Sequence, residues 1–177
     1  MNYEPYLNIT KEVAKFSKCL SRQIGVVLIS KDKTILGTGY NGPPRNTPHC
    51  DSPERLEWLV KHLAKERVGD LKAYLLENGW GNKCPRQIMG FKSGEGLWVC
   101  PAAHAERNVL INSAREGIKT KGCTIIMNCA LPCQECSKEI INAGISTIVC
   151  LQGADYDVGS RWLLERSNIE IIQLEVK

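Results

Sequence analysis

His104 and Glu106 lie on one short segment, Cys100-Pro-Ala-Ala-His-Ala-Glu-Arg-Asn108, and Pro132-Cys133-Gln134-Glu135-Cys136 follows downstream. Cys133 and Cys136 are three apart at an expected helix start, so both sulfurs fall on one face and can grip one metal ion. The partial positive charge of a helix N-terminus favours thiolate over thiol there. His104 supplies a third ligand. Three protein ligands leave the fourth tetrahedral position for water, which marks a catalytic rather than a structural zinc. Glu106, two residues beyond His104, is turned by roughly 200° in a helix. That suits it to carrying a proton beside the metal rather than to ligating it. A lone Cys-x-x-Cys reads equally as a structural zinc knuckle or a redox pair, and a lone His-x-Glu carries almost nothing. The combination, with a helix expected after each half, points to a catalytic zinc.

The elements that must position these groups follow from periodicity. Apolar Val13, Ala14, Phe16 and Leu20 with charges between them predict an amphipathic helix from about Tyr6 to Leu20. Ile24 to Ser30 and Thr34 to Tyr40 predict two strands of a hairpin around the polar turn Lys31-Asp32-Lys33, followed by a Gly/Asn/Pro loop, Gly39 to Pro44. Leu56, Leu59, Val60 and Leu63 keep helical spacing after Ser52-Pro53, and Leu71 to Leu76 adds a short helix. Trp80 to Gly96, with four glycines and Pro85, reads as irregular. Beyond it helices are expected over Ala105 to Arg115, Cys133 to Asn142 and Val158 to Ser167, and strands over Cys123 to Asn128, Ser146 to Leu151 and Ile169 to Leu174. This alternation gives an α/β layered fold with an antiparallel first hairpin and later parallel strands.

A chain of 177 residues is expected to form one domain, 1–177, burying about 70% of its unfolded surface without disulfide staples. It contains no run of ~18 apolar residues, and Met-Asn-Tyr-Glu-Pro lacks the basic and apolar regions of a signal peptide. Those features lead us to expect a soluble, intracellular protein with no membrane partner. Nine cysteines, an odd count, then fit reduced thiols and metal ligation better than disulfides. The net charge of +4 is too mild and scattered for a duplex-binding surface, and suits an anionic small molecule equally well.

His-x-Glu followed by Pro-Cys-x-x-Cys is the signature of the zinc-dependent nucleobase deaminases. Lys18-Cys19 leading into Ile24-Gly25-Val26-Val27, and then Gly39-Tyr40-Asn41-Gly42-Pro43, matches one branch of them in order and spacing. Over almost its whole length the chain resembles the deoxycytidylate (dCMP) deaminases, especially the phage and bacterial type. The resemblance implies a three-layer α/β/α sandwich with a mixed five-stranded sheet, and a cytoplasmic enzyme (in the host cytoplasm if phage-encoded) that supplies dUMP for thymidylate synthesis. It implies that Asn41 contacts the substrate sugar, that Ala105 offers its backbone N–H to the pyrimidine 2-oxo group, and that Tyr156 lies near the substrate. It also implies a homo-hexamer, activated by dCTP and inhibited by dTTP near the first helix and the Gly-Tyr-Asn-Gly loop, where Arg22 and Tyr40 match, with magnesium accompanying the allosteric nucleotide. Leu131 before Pro-Cys and Asn128-Cys129 on the strand approach depart from the family pattern. Neither departure touches a metal ligand; both bear on the shape of the pocket.

Cys19, Cys50, Cys84 and Cys100 remain in the first hundred residues, along with His49. Isolated cysteines are usually small buried hydrophobes, which suits Cys123 and Cys150 in apolar strands. It suits Cys50 and Cys84 poorly, because polar, proline-containing segments surround them. Phage relatives resemble this layout and carry a second, structural zinc, so the resemblance implies that these four cysteines, with His49 as a substitute for one, hold such an ion. A closed site of this kind would pin the glycine-rich insertion at 50–102.

The implied reaction is hydrolysis of the 4-amino group of dCMP to dUMP and ammonia, with Glu106 moving the proton. A phosphate-binding cation is expected from Arg45, Lys92 or Arg107. A polynucleotide deaminase would carry basic residues interleaved with aromatics, which this chain lacks, so no nucleic-acid partner is expected. Free-base or nucleoside deamination is a further alternative. A non-catalytic zinc module has no use for Glu106.

Overall fold

The computed structural model describes residues 2–62, 65–79, 83–92, 94–153 and 157–175. In chain order the elements are α1 (Glu4–Ala14), β1 (Gly25–Ile29), β2 (Ile35–Tyr40), α2 (Pro53–His62), α3 (Lys65–Asn78), α4 (Pro85–Ile88), a 3₁₀ turn (Leu97–Val99), α5 (Ala105–Arg115), β3 (Thr124–Met127), α6 (Gln134–Asn142), β4 (Thr147–Leu151), α7 (Val158–Glu165) and β5 (Glu170–Leu174). They fall into two compact units. The first gathers Met1–Ser17, Gln23–Asn41 and His104–Lys177; the second gathers Lys18–Arg22 and Gly42–Ala103.

The first unit is built on a mixed sheet of strand order β2-β1-β3-β4-β5. β1 is antiparallel to both β2 and β3, whereas β3, β4 and β5 run parallel. Central strands rich in Val and Ile are buried on both faces, as every residue of β1 is. On one face Val13 of α1 packs with Val27, Ile29, Ile126 and Val149. On the other, Ala105 and Val109 of α5, Ile140 of α6 and Leu164 of α7 pack with Val26, Leu28, Ile125 and Ile148. These are the three layers expected from the resemblance.

Two glycines decide how closely the helices approach. A Cβ on Gly25 would stand 2.1 Å from the Thr10 carbonyl oxygen of α1, and one on Gly39 would stand 2.5 Å from both the Ala105 carbonyl oxygen and the Val109 nitrogen of α5. No side chain fits at either position, so glycine there sets the depth of α1 and α5 on the sheet. β2 is an edge strand, and α5 covers its outward carbonyls. Asn108 donates to the Tyr40 carbonyl at 2.7 Å and Asn112 to the Thr38 carbonyl at 3.2 Å, which blunts an edge otherwise open to another strand.

The first helix stops at Ala14, short of the Leu20 that the spacing predicts. Phe16 and Leu20 are 69% and 37% exposed, so they do not extend a buried stripe, and Lys18–Arg22 belongs to the second unit.

The second unit has its own core, in which Leu56, Leu59, Leu71, Met89 and Val99 pack together. Ser52 caps the start of α2 through the Arg55 N–H at 3.2 Å, matching the start expected at Ser52-Pro53. α3 runs to 14 residues rather than the short helix over Leu71 to Leu76. It continues through Gly69, whose cost of about 1 kcal/mol within a helix is small enough for the helix to absorb. Within the segment read as irregular, Pro85–Ile88 makes a single helical turn, while 80–82 and 93 lie outside the described residues. Gly42 and Ala103 form an antiparallel bridge with hydrogen bonds of 3.1 and 2.8 Å, which ties together the two ends of the long excursion between them.

Candidate active site

His104 and Cys133 occupy equivalent places: each is the extended N-cap residue of a helix, α5 and α6 respectively. Cys136 follows in the first turn of α6. These two helix starts bring the His104 ring nitrogen and both sulfurs within 4.8 Å of one another. The Nδ1 atom of His104 lies 3.4 Å from the Sγ of Cys133 and 3.4 Å from the Sγ of Cys136. A tetrahedral zinc with sulfur at about 2.3 Å and nitrogen at about 2.0–2.1 Å holds N and S about 3.5 Å apart. The donor set therefore has both the chemistry and the span that zinc requires.

Proton sharing within the set is lopsided. A hydrogen bond from the Cys136 thiol, reinforced by His104, brings Cys133 down to about 4 despite its burial. Cys136, as the donor in a buried place, is pushed up. The Cys133 sulfur in turn raises His104, against burial, which lowers it. The thiolate form of Cys133 is thus favoured within the trio, and metal ions displace the protons that remain on their ligands on binding.

Glu106 is the second residue of α5 and only 4% exposed. Its carboxylate raises both His104 and Cys136, which places its charge beside the donors. Burying a carboxylate is costly without compensation, and the start of α5 supplies some through its unpaired N–H groups and dipole. Since His104 is an extended cap residue and Glu106 is helical, the two do not lie on the same turn of a regular helix. Ala105 is fully buried at the first helical position, where its N–H has no partner within the helix.

Asn41 is buried at the end of β2. Its Oδ1 accepts the Ile24 N–H at 2.8 Å, and its carbonyl accepts the Ser17 hydroxyl at 2.7 Å. Tyr40, 42% exposed, has its ring 5.9 Å from that of Phe16. Arg22 is exposed in the second unit, and Tyr156 lies outside the described residues. Arg107, one of three cations considered for a substrate phosphate, is held by Glu139 of α6, its Nε donating at 2.8 and 2.9 Å to the two carboxylate oxygens. The pair joins the two helices that carry the metal donors.

Cys19, Cys50, Cys84 and Cys100 all fall in the second unit. Burial, then the neighbouring sulfurs of Cys84 and Cys100, Asp51 and the sulfur of Cys19 push Cys50 up to about 12. Cys100 is raised by burial and by the sulfurs of Cys19 and Cys84. Each thiol charge is thus felt at its neighbours, with Cys50 and Cys84 buried and Cys19 and Cys100 half-buried. His49 pairs with Asp51, and its Nδ1 is 3.7 Å from the Cys50 Sγ, so His49, Cys50 and Asp51 form a second group with metal-binding reach. Sequence reasoning missed Asp51, although its place next to Cys50 was a signal. It also missed Asp157, whose carboxylate accepts from the Gln134 and Gly159 backbones.

Two helix starts thus bring one imidazole and two thiols together as a candidate metal site, with a buried carboxylate on the same helix as the imidazole. Residues 1–152 match the family described as the cytidine and deoxycytidylate deaminase zinc-binding region, and the chain belongs to that family. It is 28% identical over 179 residues to the deoxycytidylate deaminase of Enterobacteria phage T2, covering 98% of this chain and 93% of that protein. It is 27% identical over 169 residues to the deoxycytidylate deaminase of Schizosaccharomyces pombe; the match takes in 95% of this chain but spans only 42% of the yeast protein. The fold superposes with a TM-score of 0.62 on the crystal structure of a dCMP deaminase from cyanophage S-TIM5, at 18% identity and covering 97% and 95% of the two chains. That cyanophage enzyme has also been crystallised with dCMP and dUMP. Among the described residues, no helix is long and apolar enough to cross a membrane.

Proposed function

We propose that the chain is a dCMP deaminase, converting dCMP and water to dUMP and ammonia and so supplying dUMP for thymidylate synthesis in the cytoplasm. The observation that carries this reading is the convergence of His104, Cys133 and Cys136 at zinc-like separations beside the buried Glu106. Relatives named deoxycytidylate deaminase, one of them matched over nearly its full length, support the choice of substrate.

His104, Cys133 and Cys136 would hold the zinc, which when bound would supply a water nucleophile at neutral pH. Glu106 takes the proton released as water attacks C4 and delivers it to ring N3. A second proton passing through Glu106 to the exocyclic nitrogen lets ammonia leave. The Ala105 N–H, at the start of α5, holds the 2-oxo group. Asn41, oriented by Ile24, meets the sugar, and Tyr156, outside the described residues, keeps the role near the substrate that the family resemblance implies. A cation meets the 5′-phosphate, with Arg45, Lys92 and Arg107 as the candidates; Arg107 also pairs with Glu139.

A second zinc held by Cys19, Cys50, Cys84 and Cys100, with His49 as a substitute ligand, stabilises the insertion at 50–102 within a single deaminase domain. Burial, and then the charges of the neighbouring thiols, raise Cys50 and Cys100, and a metal ion that takes thiolates as ligands offsets both costs, which supports this reading. The working form is a homo-hexamer, regulated by dCTP with magnesium and by dTTP near Arg22 and Tyr40. Glu106→Gln tests the core of the reading: it keeps the shape and removes the proton carrier, so turnover should fall ~10²- to 10⁴-fold with zinc content unchanged. Normal turnover, or loss of the metal, refutes the role.

A further inference from the structure

Asp157 bridges two helix starts with one carboxylate. Its Oδ1 accepts the Gly159 N–H at 2.9 Å and caps α7, as an ordinary N-cap does. Its Oδ2 accepts the Gln134 N–H at 2.9 Å. That second amide belongs to the first residue of α6, between the N-cap Cys133 and Cys136. Cys133 is extended at its cap position and makes no side-chain cap of its own, so Asp157 supplies the acceptor its turn lacks. A buried hydroxyl pair, Ser137 to Ser160 at 2.8 Å, ties the same two helices together one turn further on.

We propose that Asp157 is a positioning residue for the metal centre: by capping α6 from outside, it fixes the turn that presents Cys133 and Cys136 at the spacing zinc requires. This rests on the assignment of His104, Cys133 and Cys136 as the metal donors. The carboxylate matters because it has two acceptor oxygens at once. At an ordinary N-cap asparagine serves as well as aspartate. Here asparagine has one acceptor oxygen, so whichever amide it keeps, its NH₂ faces the other. If Asp157 only capped α7, Asp157→Asn would be neutral. As a positioning residue for α6, it cannot be.

The test is zinc binding, with no substrate present. Metal-free protein is titrated with zinc against a chromophoric chelator for the parent, His104→Ala, Asp157→Asn, Asp157→Ala and Asn2→Ala, the last removing a remote side-chain acceptor of the Glu4 N–H. The binding phase lost in His104→Ala identifies the centre. We expect that phase to weaken ~10- to 100-fold in Asp157→Ala, as for other groups that orient metal ligands, and several-fold in Asp157→Asn. Asn2→Ala should leave it unchanged. If Asp157→Ala does not fold, Asp157→Asn alone decides. Parental zinc affinity in the Asp157 variants, even with a lowered melting temperature, makes Asp157 a structural cap and overturns the proposal while the donor assignment stands. No phase lost in His104→Ala overturns the donor assignment and this proposal with it.

Discussion

Replacing Gly39 with alanine is the sharpest mechanical test of how the sheet positions the catalytic helix. The added Cβ would stand 2.5 Å from the Ala105 carbonyl oxygen, 2.5 Å from the Val109 nitrogen and 3.0 Å from the Val109 Cα, all backbone atoms of α5. Ordinary contact begins near 3.4 Å, so α5 must retreat from β2 by about 0.9 Å, and no side-chain rotation can relieve the clash. Overpacking of this kind costs about 1–3 kcal/mol, which for a chain of this size lowers the melting temperature by about 2–10 °C. The functional loss should be larger, because His104 caps α5 and Glu106 lies in its first turn, and a misplacement near 1 Å costs roughly 10²-fold in rate. The amide bonds from Asn108 and Asn112 to β2 stretch in the same movement. Gly37→Ala is the matched control on the same strand: its nearest neighbours would be the Ser113 hydroxyl at 3.6 Å and a Val109 methyl at 3.8 Å, which is ordinary contact. Calorimetry and ammonia release from the parent and both variants decide the matter. A Gly39→Ala protein with parental activity and melting, or equal damage in Gly37→Ala, refutes the reasoning.

Metal analysis of the purified protein should give about two zinc ions per chain; Cys84→Ser should lose one, and Cys150→Ser, buried in β4, should lose none. Metal-free protein should lose stability as pH rises above 9. Cys50 is raised in the fold to about 12, so its stabilising contribution is fully present below the ordinary thiol value near 9 and fades as pH climbs toward 12. Cys100 and Cys136 act in the same direction. Thermal melts in a chelating buffer should show this decline, and Cys50→Ser should flatten it. Arg107→Lys keeps the charge but breaks the forked pairing with Glu139; both side chains are substantially exposed, so less than about 1 kcal/mol of stability is at stake. Its melting temperature should therefore stay close to the parent's, which calorimetry checks.

The chemistry of this chain was readable because it is local. His104 and Glu106, and Cys133 and Cys136, are pairs close enough in sequence to share one helix start, although His104 and Cys133 prove to be extended caps, so helical spacing does not set their geometry. The alternating elements after His104 were readable because β3 and β4 carry near-continuous buried apolar runs. Contacts between distant segments were not readable. Nothing in the pattern around Asp157 shows that its carboxylate reaches Gln134, 23 residues away, and Arg107 resembled a spare cation until Glu139, 32 residues on, was found beside it. Phe16 and Leu20 misled because helical spacing marks a face without saying whether anything covers it. Gly39 resembled a loop residue, yet its role is to let a helix backbone come close.

The central claim is most directly tested by ammonia release from dCMP and from deoxycytidine with the zinc-loaded protein. A 5′-phosphate bound by a cation in a desolvated site should give dCMP a specificity constant at least tens-fold higher, because the nucleoside leaves that charge unpaired. Equal specificity constants, or no ammonia from dCMP, would contradict the nucleotide deaminase reading.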